Sequence, residues 1–301
     1  MRLHAIINTQ SGEAGARSPK QLERKLLAIW QSAGHHGRVT FSKPKHLDRD
    51  IRHACTSPDV DMVVIGGGDG TISKALPDLL SADKCLGILP MGTMNYMARQ
   101  LSLPLDPIAA ATAIASGHPT TIDLASINGR PFMIWCCLGI LPHYIIGRDR
   151  LRPAKASSFW DSMLSGLQEV ALSPMSLPLS LCVDGEATQV DTPFLMVTNN
   201  ECRDGPPLLL MRDRLDGGML GLYVAKDPRL LSVSELGLQA LLGQWVGNSQ
   251  LTASRSTHIE IQGRQPCLIV SIDGEIVSLS PPLNFKILPR ALRVQVPNWD
   301  L

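Results

Sequence analysis

Residues 62–71 read Met-Val-Val-Ile-Gly-Gly-Gly-Asp-Gly-Thr, and no other stretch constrains the fold as tightly. An apolar run of strand character passes without a break into glycines, an acid, a glycine and a hydroxyl residue. A helical pattern resumes at Ile72. Glycines let backbone N–H groups approach a polyphosphate closely, and the start of the following helix adds a favourable dipole. The turn formed by Gly67, Gly68, Asp69, Gly70, Thr71, Ile72 and Ser73 is therefore a candidate phosphate-binding loop, and Asp69 is a candidate to hold Mg²⁺ or a water bound to it. No GxxxxGK[ST] string exists in the chain, so this is not a P-loop.

The flanking segments set the context. Leu3–Ile7, Arg38–Phe41, Met62–Ile65 and Leu86–Leu89 read as short strands. Between the first two, Ser18 is placed to cap a helix, Pro19 suits its first turn, and Leu22, Leu26, Ile29 and Trp30 share one face. Asp106-Pro107 opens an Ala-rich helix to Ser116. Strand–helix alternation of this kind predicts a parallel sheet covered by helices on both faces.

From Ile122 the pattern changes. Asp123–Ile127 and Phe132–Leu138 read as strands around an Asn128-Gly129 turn. Further strands are expected at Leu177–Val183, Phe194–Thr198, Leu220–Val224, His258–Ile261, Cys267–Ile272 and Asn284–Leu288, with helical stretches near Phe159–Ala171 and Leu230–Val246. The expected organisation is an α/β domain with a parallel sheet over residues 1–124, then a mostly antiparallel β-sandwich-like domain over 125–289, with the tail 290–301 packing back on the first.

Composition narrows the partners. Lys plus Arg is 28 against 27 for Asp plus Glu, a formal charge of +1, which gives no reason to expect a nucleic-acid partner. Seven cysteines without a CxxC pair point to buried reduced thiols in a cytosolic protein rather than a disulfide framework or a zinc site. The apolar start Leu3–Ile7 is too short for a signal peptide, and Phe132–Pro142 falls short of the roughly 20 residues that a membrane-spanning helix needs. Any lipid would be met from the water side.

A second motif lies about 20 residues after the first (the spacing of one further strand–turn–helix unit). Leu86-Gly87-Ile88-Leu89-Pro90-Met91-Gly92-Thr93-Met94-Asn95-Tyr96-Met97-Ala98-Arg99 resembles the LGIxPxGTxNxxAR pattern of the diacylglycerol kinase catalytic-domain family. GGDGT alone is shared with phosphofructokinases and NAD kinases; the second string is not. Asn8-Thr9-Gln10-Ser11-Gly12 stands where that family has NPxSG, and Ile272-Asp273-Gly274-Glu275 with Val294–Pro297 is similar to its closing DGE…VxVP pattern. The resemblance implies a nucleotide domain related to NAD kinase, a β-sandwich-like second domain, and ATP- and Mg²⁺-dependent phosphorylation of a lipid alcohol at a membrane surface. Diacylglycerol is the default acceptor, with sphingoid bases, ceramide or phosphatidylglycerol as alternatives and a soluble acceptor such as NAD disfavoured by the second string, and acyl chains would enter past Ile140–Ile146.

Site residues follow from the same resemblance. It implies a nucleotide loop of Asn8, Thr9, Gln10, Ser11 and Gly12, a nucleotide-side Thr40, phosphate contacts from Gly67 to Ser73, and a hydroxyl from Thr93. It puts the proton acceptor in Asp273-Gly274-Glu275, at either Asp273 or Glu275; the earlier Asp184-Gly185-Glu186 reads as a plain hairpin turn. Asp213, Asp216 and Gly218 match a turn that holds a structural Mg²⁺ in some members, and a metal-free Asp-Gly turn is the equal alternative. The chain departs from the pattern at Thr9, Ser73, Lys74, Met94 and Tyr96, and Pro77 is expected to shorten the helix after the glycines. These changes keep open a non-catalytic nucleotide-binding module of the same fold.

Overall fold

The computed structural model describes residues 1–12, 18–150, 176–205, 210–227, 244 and 249–298. The helical stretches expected at Phe159–Ala171 and, apart from Gln244, Leu230–Val246 lie outside them. The chain divides into two compact units, one of Met1–Leu124 with Pro289–Leu301 and one of Ala125–Leu288.

In the first unit, β1 (Arg2–Asn8), α1 (Pro19–Ser32), β2 (His36–Ser42), α2 (Leu47–Thr56), β3 (Met62–Gly67), α3 (Asp69–Ser81) and β4 (Cys85–Pro90) alternate, followed by α4 (Tyr96–Gln100) and α5 (Pro107–Ser116). The strands run parallel in the order β2-β1-β3-β4. Strand β3 is buried at every residue, as a central parallel strand covered on both faces must be. Helices α1 and α5 pack on each other and on β2 and β4, whereas α2 and α3 pack together against β1 and β3. The chain thus crosses from one face to the other between β1 and β3. In open α/β sheets such a switch point, at the carboxyl ends of the strands, is where ligands bind.

Details differ from expectation for physical reasons. Ser18 is the N-cap residue of α1, but its side chain makes no capping bond; its carbonyl receives the Gln21 and Leu22 N–H groups instead. Leu22, Leu26 and Trp30 are buried, and Ile29 only partly. Pro77 does not shorten α3, which continues to Ser81 with Pro77 on its exposed side.

Strand β5 (His118–Ile127) passes from the first unit into the second. Then come β6 (Arg130–Phe132), β7 (Trp135–Gly139), α6 (Ile140–Arg150), β8 (Leu177–Val183), β9 (Glu186–Thr192), β10 (Phe194–Asn199), β11 (Cys202–Arg203) and β12 (Met211–Arg212). The last six are β13 (Leu220–Ala225), β14 (Leu251–Ser256), β15 (His258–Gly263), β16 (Leu268–Ile272), β17 (Glu275–Leu279) and β18 (Leu283–Val296). Within the second unit, an antiparallel sheet β14-β13-β10-β7-β16-β17 faces a layer built from β9, β8, β15 and the start of β18. Their inward residues form one core, in which Phe132 and Phe285 meet edge-on at 6.3 Å. The end of β18 belongs to the first unit, where Val294 pairs in parallel with Leu86 and buried Gln295 donates to Ile114 O.

Three hairpins turn on Asn128-Gly129, Asp184-Gly185 and Asp273-Gly274. All six residues have positive φ, the requirement of the two-residue turn that matches strand twist. The single strand expected over Phe132–Leu138 is interrupted between Phe132 and Trp135. All seven cysteines are free and five are buried; burial pushes the Cys55 thiol up to about 12 and those of Cys85 and Cys202 to about 11.

Candidate active site

At the carboxyl end of β1, Asn8 organises the first loop. Its Oδ1 accepts the Gln10 N–H at 3.1 Å and its carbonyl accepts the Ser11 N–H at 3.1 Å, so the chain doubles back. Its Nδ2 donates to Thr71 Oγ1 at 3.1 Å, tying this loop to the turn after β3. Thr9 stands where the resembled pattern has proline, and it uses the group that a proline lacks: its N–H donates to Ser42 O at 3.0 Å. Its hydroxyl donates to the same carbonyl at 3.1 Å. Gly12 ends the loop with open space around its Cα.

The turn after β3 and the turn after β4 form one construction. Gly68 is the N-cap of α3. A Cβ at Gly92 would lie 2.4 Å from Gly68 Cα, and one at Gly68 would lie 3.1 Å from Gly92 Cα, so both positions need glycine for backbone contact. Asn95, at φ 48°, brackets Gly92, accepting its N–H and donating to its carbonyl, both at 2.8 Å. The Asp69 carboxylate accepts the Tyr96 N–H at 2.9 Å and the Met97 N–H at 3.0 Å, capping α4 from outside. Asp69 is thereby anchored in place, with α4 fixed to the glycine turn. Gly70 and Thr93 are exposed, Thr71 and Ile72 are buried, and Ser73 is half-buried. Ile72 can therefore offer a ligand only its backbone. Lys74 and Met94 are exposed, and the Tyr96 ring is buried, so the changed position adds no charge to the surface of the turn.

Thr40 is half-buried on β2, and its hydroxyl meets His4 Nε2 at 2.9 Å. Burial, followed by the Arg38 and His53 charges, lowers the His4 pKa to about 4, so the ring is neutral near pH 7. Nothing in the sequence singled out His4, although a histidine inside an apolar strand was the available signal.

In the second unit, the Asp273 carboxylate explains the interrupted strand. Its Oδ2 accepts the Met133 N–H at 2.8 Å, and its Oδ1 accepts those of Ile134 at 2.8 Å and Trp135 at 3.1 Å. These three bonds tie the hairpin turn to the interruption. Glu275 stands differently: it is exposed, and its Oε2 accepts from Arg130 Nη2 at 2.8 Å. The earlier copy of the tripeptide makes the same turn between β8 and β9, but there Asp184 Oδ1 holds the Thr257 and His258 N–H groups.

The third predicted group, Asp213, Asp216 and Gly218, forms an exposed turn rich in ion pairs. Both Asp216 oxygens are held by Arg214, from Nε at 3.0 Å and Nη2 at 3.2 Å, and Asp213 pairs with Arg203 at 3.2 Å. Gly218, at φ 69°, shapes the turn. Among the described residues no group of three His, Cys, Asp or Glu side chains is placed to hold a metal ion.

Comparison with known proteins bears on the fold and the family. The model of the diacylglycerol kinase catalytic domain matches residues 2–127, and that of the YegS C-terminal NAD kinase beta sandwich-like domain matches 149–296. A diacylglycerol kinase of Bacillus subtilis is 24% identical over 98% of this chain and 96% of its own length. One of Mycobacterium tuberculosis is 28% identical over 87% of this chain and 89% of its own. A crystal structure of a diacylglycerol kinase from Bacillus anthracis superposes with a TM-score of 0.69 at 20% identity, covering 99% of this chain and 97% of the other, which speaks for the fold.

Proposed function

The chain belongs to the diacylglycerol kinase catalytic-domain family, and we propose that it transfers the γ-phosphoryl group of ATP to the hydroxyl of a lipid alcohol, with diacylglycerol as the default acceptor. The observation that carries this reading is the locked pair of glycine turns at the switch point of the parallel sheet, tied to the Asn8 loop through Thr71. Asn8–Gly12, Gly67–Ser73 and Thr93 are the nucleotide-binding residues in this reading. Small residues and backbone N–H groups at a helix start suit a polyphosphate, because phosphoryl transfer depends on positioning and electrostatic stabilisation far more than on covalent chemistry.

Mg²⁺ accompanying the nucleotide supplies charge neutralisation at the phosphates. Asp69 is the carboxylate of the phosphate turn itself; each of its oxygens accepts one α4 N–H, and with its remaining lone pairs it would face such an ion while holding α4. This reading does not require a metal at the Asp216 turn, whose carboxylate accepts from Arg214.

Glu275 is the better candidate for the proton acceptor. Both Asp273 oxygens are committed to backbone N–H groups, whereas Glu275 is exposed and held by a single arginine. Asp273 then builds the turn and Glu275 takes the proton from the lipid hydroxyl. The acceptor lives in a bilayer, so in this reading the protein acts at a membrane surface; no helix among the described residues is long and apolar enough to cross one. Incubation with γ-labelled ATP, Mg²⁺ and a total lipid extract should yield a labelled product soluble in organic solvent. Label confined to a water-soluble acceptor would refute the proposal.

A further inference from the structure

The Asp273 carboxylate grips one side of the interruption at Met133–Trp135, and a buried cation grips the other. Arg212 is 5% exposed, and its Nη1 donates to Met133 O at 2.8 Å and to Asn199 O at 3.0 Å. Asn199, 1% exposed, adds a second donor to Met133 O, from Nδ2 at 2.9 Å, while its own N–H donates to Ile134 O at 3.0 Å. The peptide group joining Met133 to Ile134 therefore lies between opposite charges. Its N–H points at Asp273 Oδ1 and its C=O points at Arg212. That is the favourable orientation of a dipole between an anion and a cation, and hydrogen bonds in series polarise one another in a low-dielectric interior. The loop is closed by the Asp273 N–H, which donates to Trp135 O at 2.9 Å.

We infer that Arg212 is a positioning residue for phosphoryl transfer. Acting through the Met133–Ile134 peptide, it fixes the Asp273 carboxylate, and with it the two-residue turn that carries Glu275. Asn199 is its weaker partner at the same carbonyl. The inference rests on the reading of Asp273–Glu275 as the acceptor turn. Without the cation, Met133 O keeps one side-chain donor and the peptide loses the field that orients it, so the turn acquires play. A displacement of about 1 Å of a reacting group can cost on the order of 10²-fold in rate, with little change in substrate binding.

Arg212→Met removes the charge and the donors while keeping an unbranched side chain. Steady-state kinetics with ATP and diacylglycerol in mixed micelles, alongside thermal unfolding, separate positioning from stability. The expected result is a kcat per folded molecule lower by about 10–100-fold, KM for ATP within about twofold of wild type, and partial recovery of kcat in Arg212→Lys. Wild-type kcat per folded molecule, with only a lowered Tm, would show a structural arginine and overturn the inference. Should Arg212→Met fail to fold, Asn199→Ala removes one donor to the same carbonyl, with a loss of about 3–10-fold expected; wild-type kcat there overturns the inference equally. Glu275→Gln and Asp273→Asn, run in the same assay, distinguish the two levels. Full activity in both refutes the reading of the turn and the inference with it, whereas loss in them beside an unaffected Arg212→Met refutes the inference alone.

Discussion

Asp273→Asn looks conservative, yet the geometry predicts a destabilised protein. The carboxylate accepts three N–H groups at 2.8–3.1 Å, from Met133, Ile134 and Trp135. An asparagine has one acceptor oxygen. If that oxygen stays with Ile134 and Trp135, the amide NH₂ must face the N–H of Met133, a residue with no exposure to water. One hydrogen bond to a charged group is then lost, worth about 1.5–3 kcal/mol, and the other two fall from charge-assisted to neutral strength, about 1 kcal/mol each. The sum is a loss of about 3.5–5 kcal/mol, or a Tm lowered by about 7–20 °C for the cooperative unit concerned. Urea unfolding followed by tryptophan fluorescence reads this directly, since Trp135 sits in the affected segment. Glu275→Gln is the matched control: its ion pair with Arg130 is exposed, so its stability should stay within about 1 kcal/mol of wild type. Asp273→Asn as stable as Glu275→Gln would show that the carboxylate does not hold the interrupted strand. Any activity lost in Asp273→Asn must accordingly be expressed per folded molecule.

Other consequences are as direct. Gly92→Ala forces a Cβ to within 2.4 Å of Gly68 Cα and should cost about 1–3 kcal/mol together with ATP affinity, whereas Gly70→Ala, with nothing within 4 Å, should lose ATP affinity at unchanged stability; calorimetric titration and thermal unfolding of both variants check this. Because the folded His4 pKa of about 4 lies below its unfolded value of 6.5, the unfolded chain binds the extra proton between those limits, so stability is complete above pH 6.5 and falls towards pH 4. His4→Leu should flatten that acid limb by about 2 kcal/mol in urea titrations at pH 7 and 5, and an unchanged limb would contradict the neutral buried imidazole. Thr9→Pro restores the resembled loop sequence but removes the N–H that donates to Ser42 O, so urea unfolding should show a loss of about 1 kcal/mol rather than a gain.

What was legible in the sequence was what adjacent residues decide. The apolar run before Gly66 announced a buried parallel strand, and Asn128-Gly129 and Asp184-Gly185 announced hairpins, whose two turn positions need the positive φ that such residues accept. Helix α2 was equally readable, since Leu47, Ile51, Ala54 and Cys55 are buried at the spacing of one helical face, but the surrounding charges masked it. The interruption of Phe132–Leu138 was not readable, because its cause is a carboxylate 140 residues further along the chain. The same holds for Arg212, whose partner Met133 lies 79 residues away. The Asp216 turn matches its motif in residue type, and the structure adds that Arg214 donates to both oxygens of its carboxylate.

The central claim concerns where the γ-phosphoryl group of ATP goes, and product stoichiometry settles it most directly. With purified protein, Mg²⁺ and γ-labelled ATP, the ADP formed is compared with label recovered on diacylglycerol vesicles, on NAD, and without any acceptor. The account predicts one phosphatidic acid per ADP with the vesicles, and background turnover in the other two arms. ADP formed at the same rate without lipid, or label recovered on NAD instead, would contradict it.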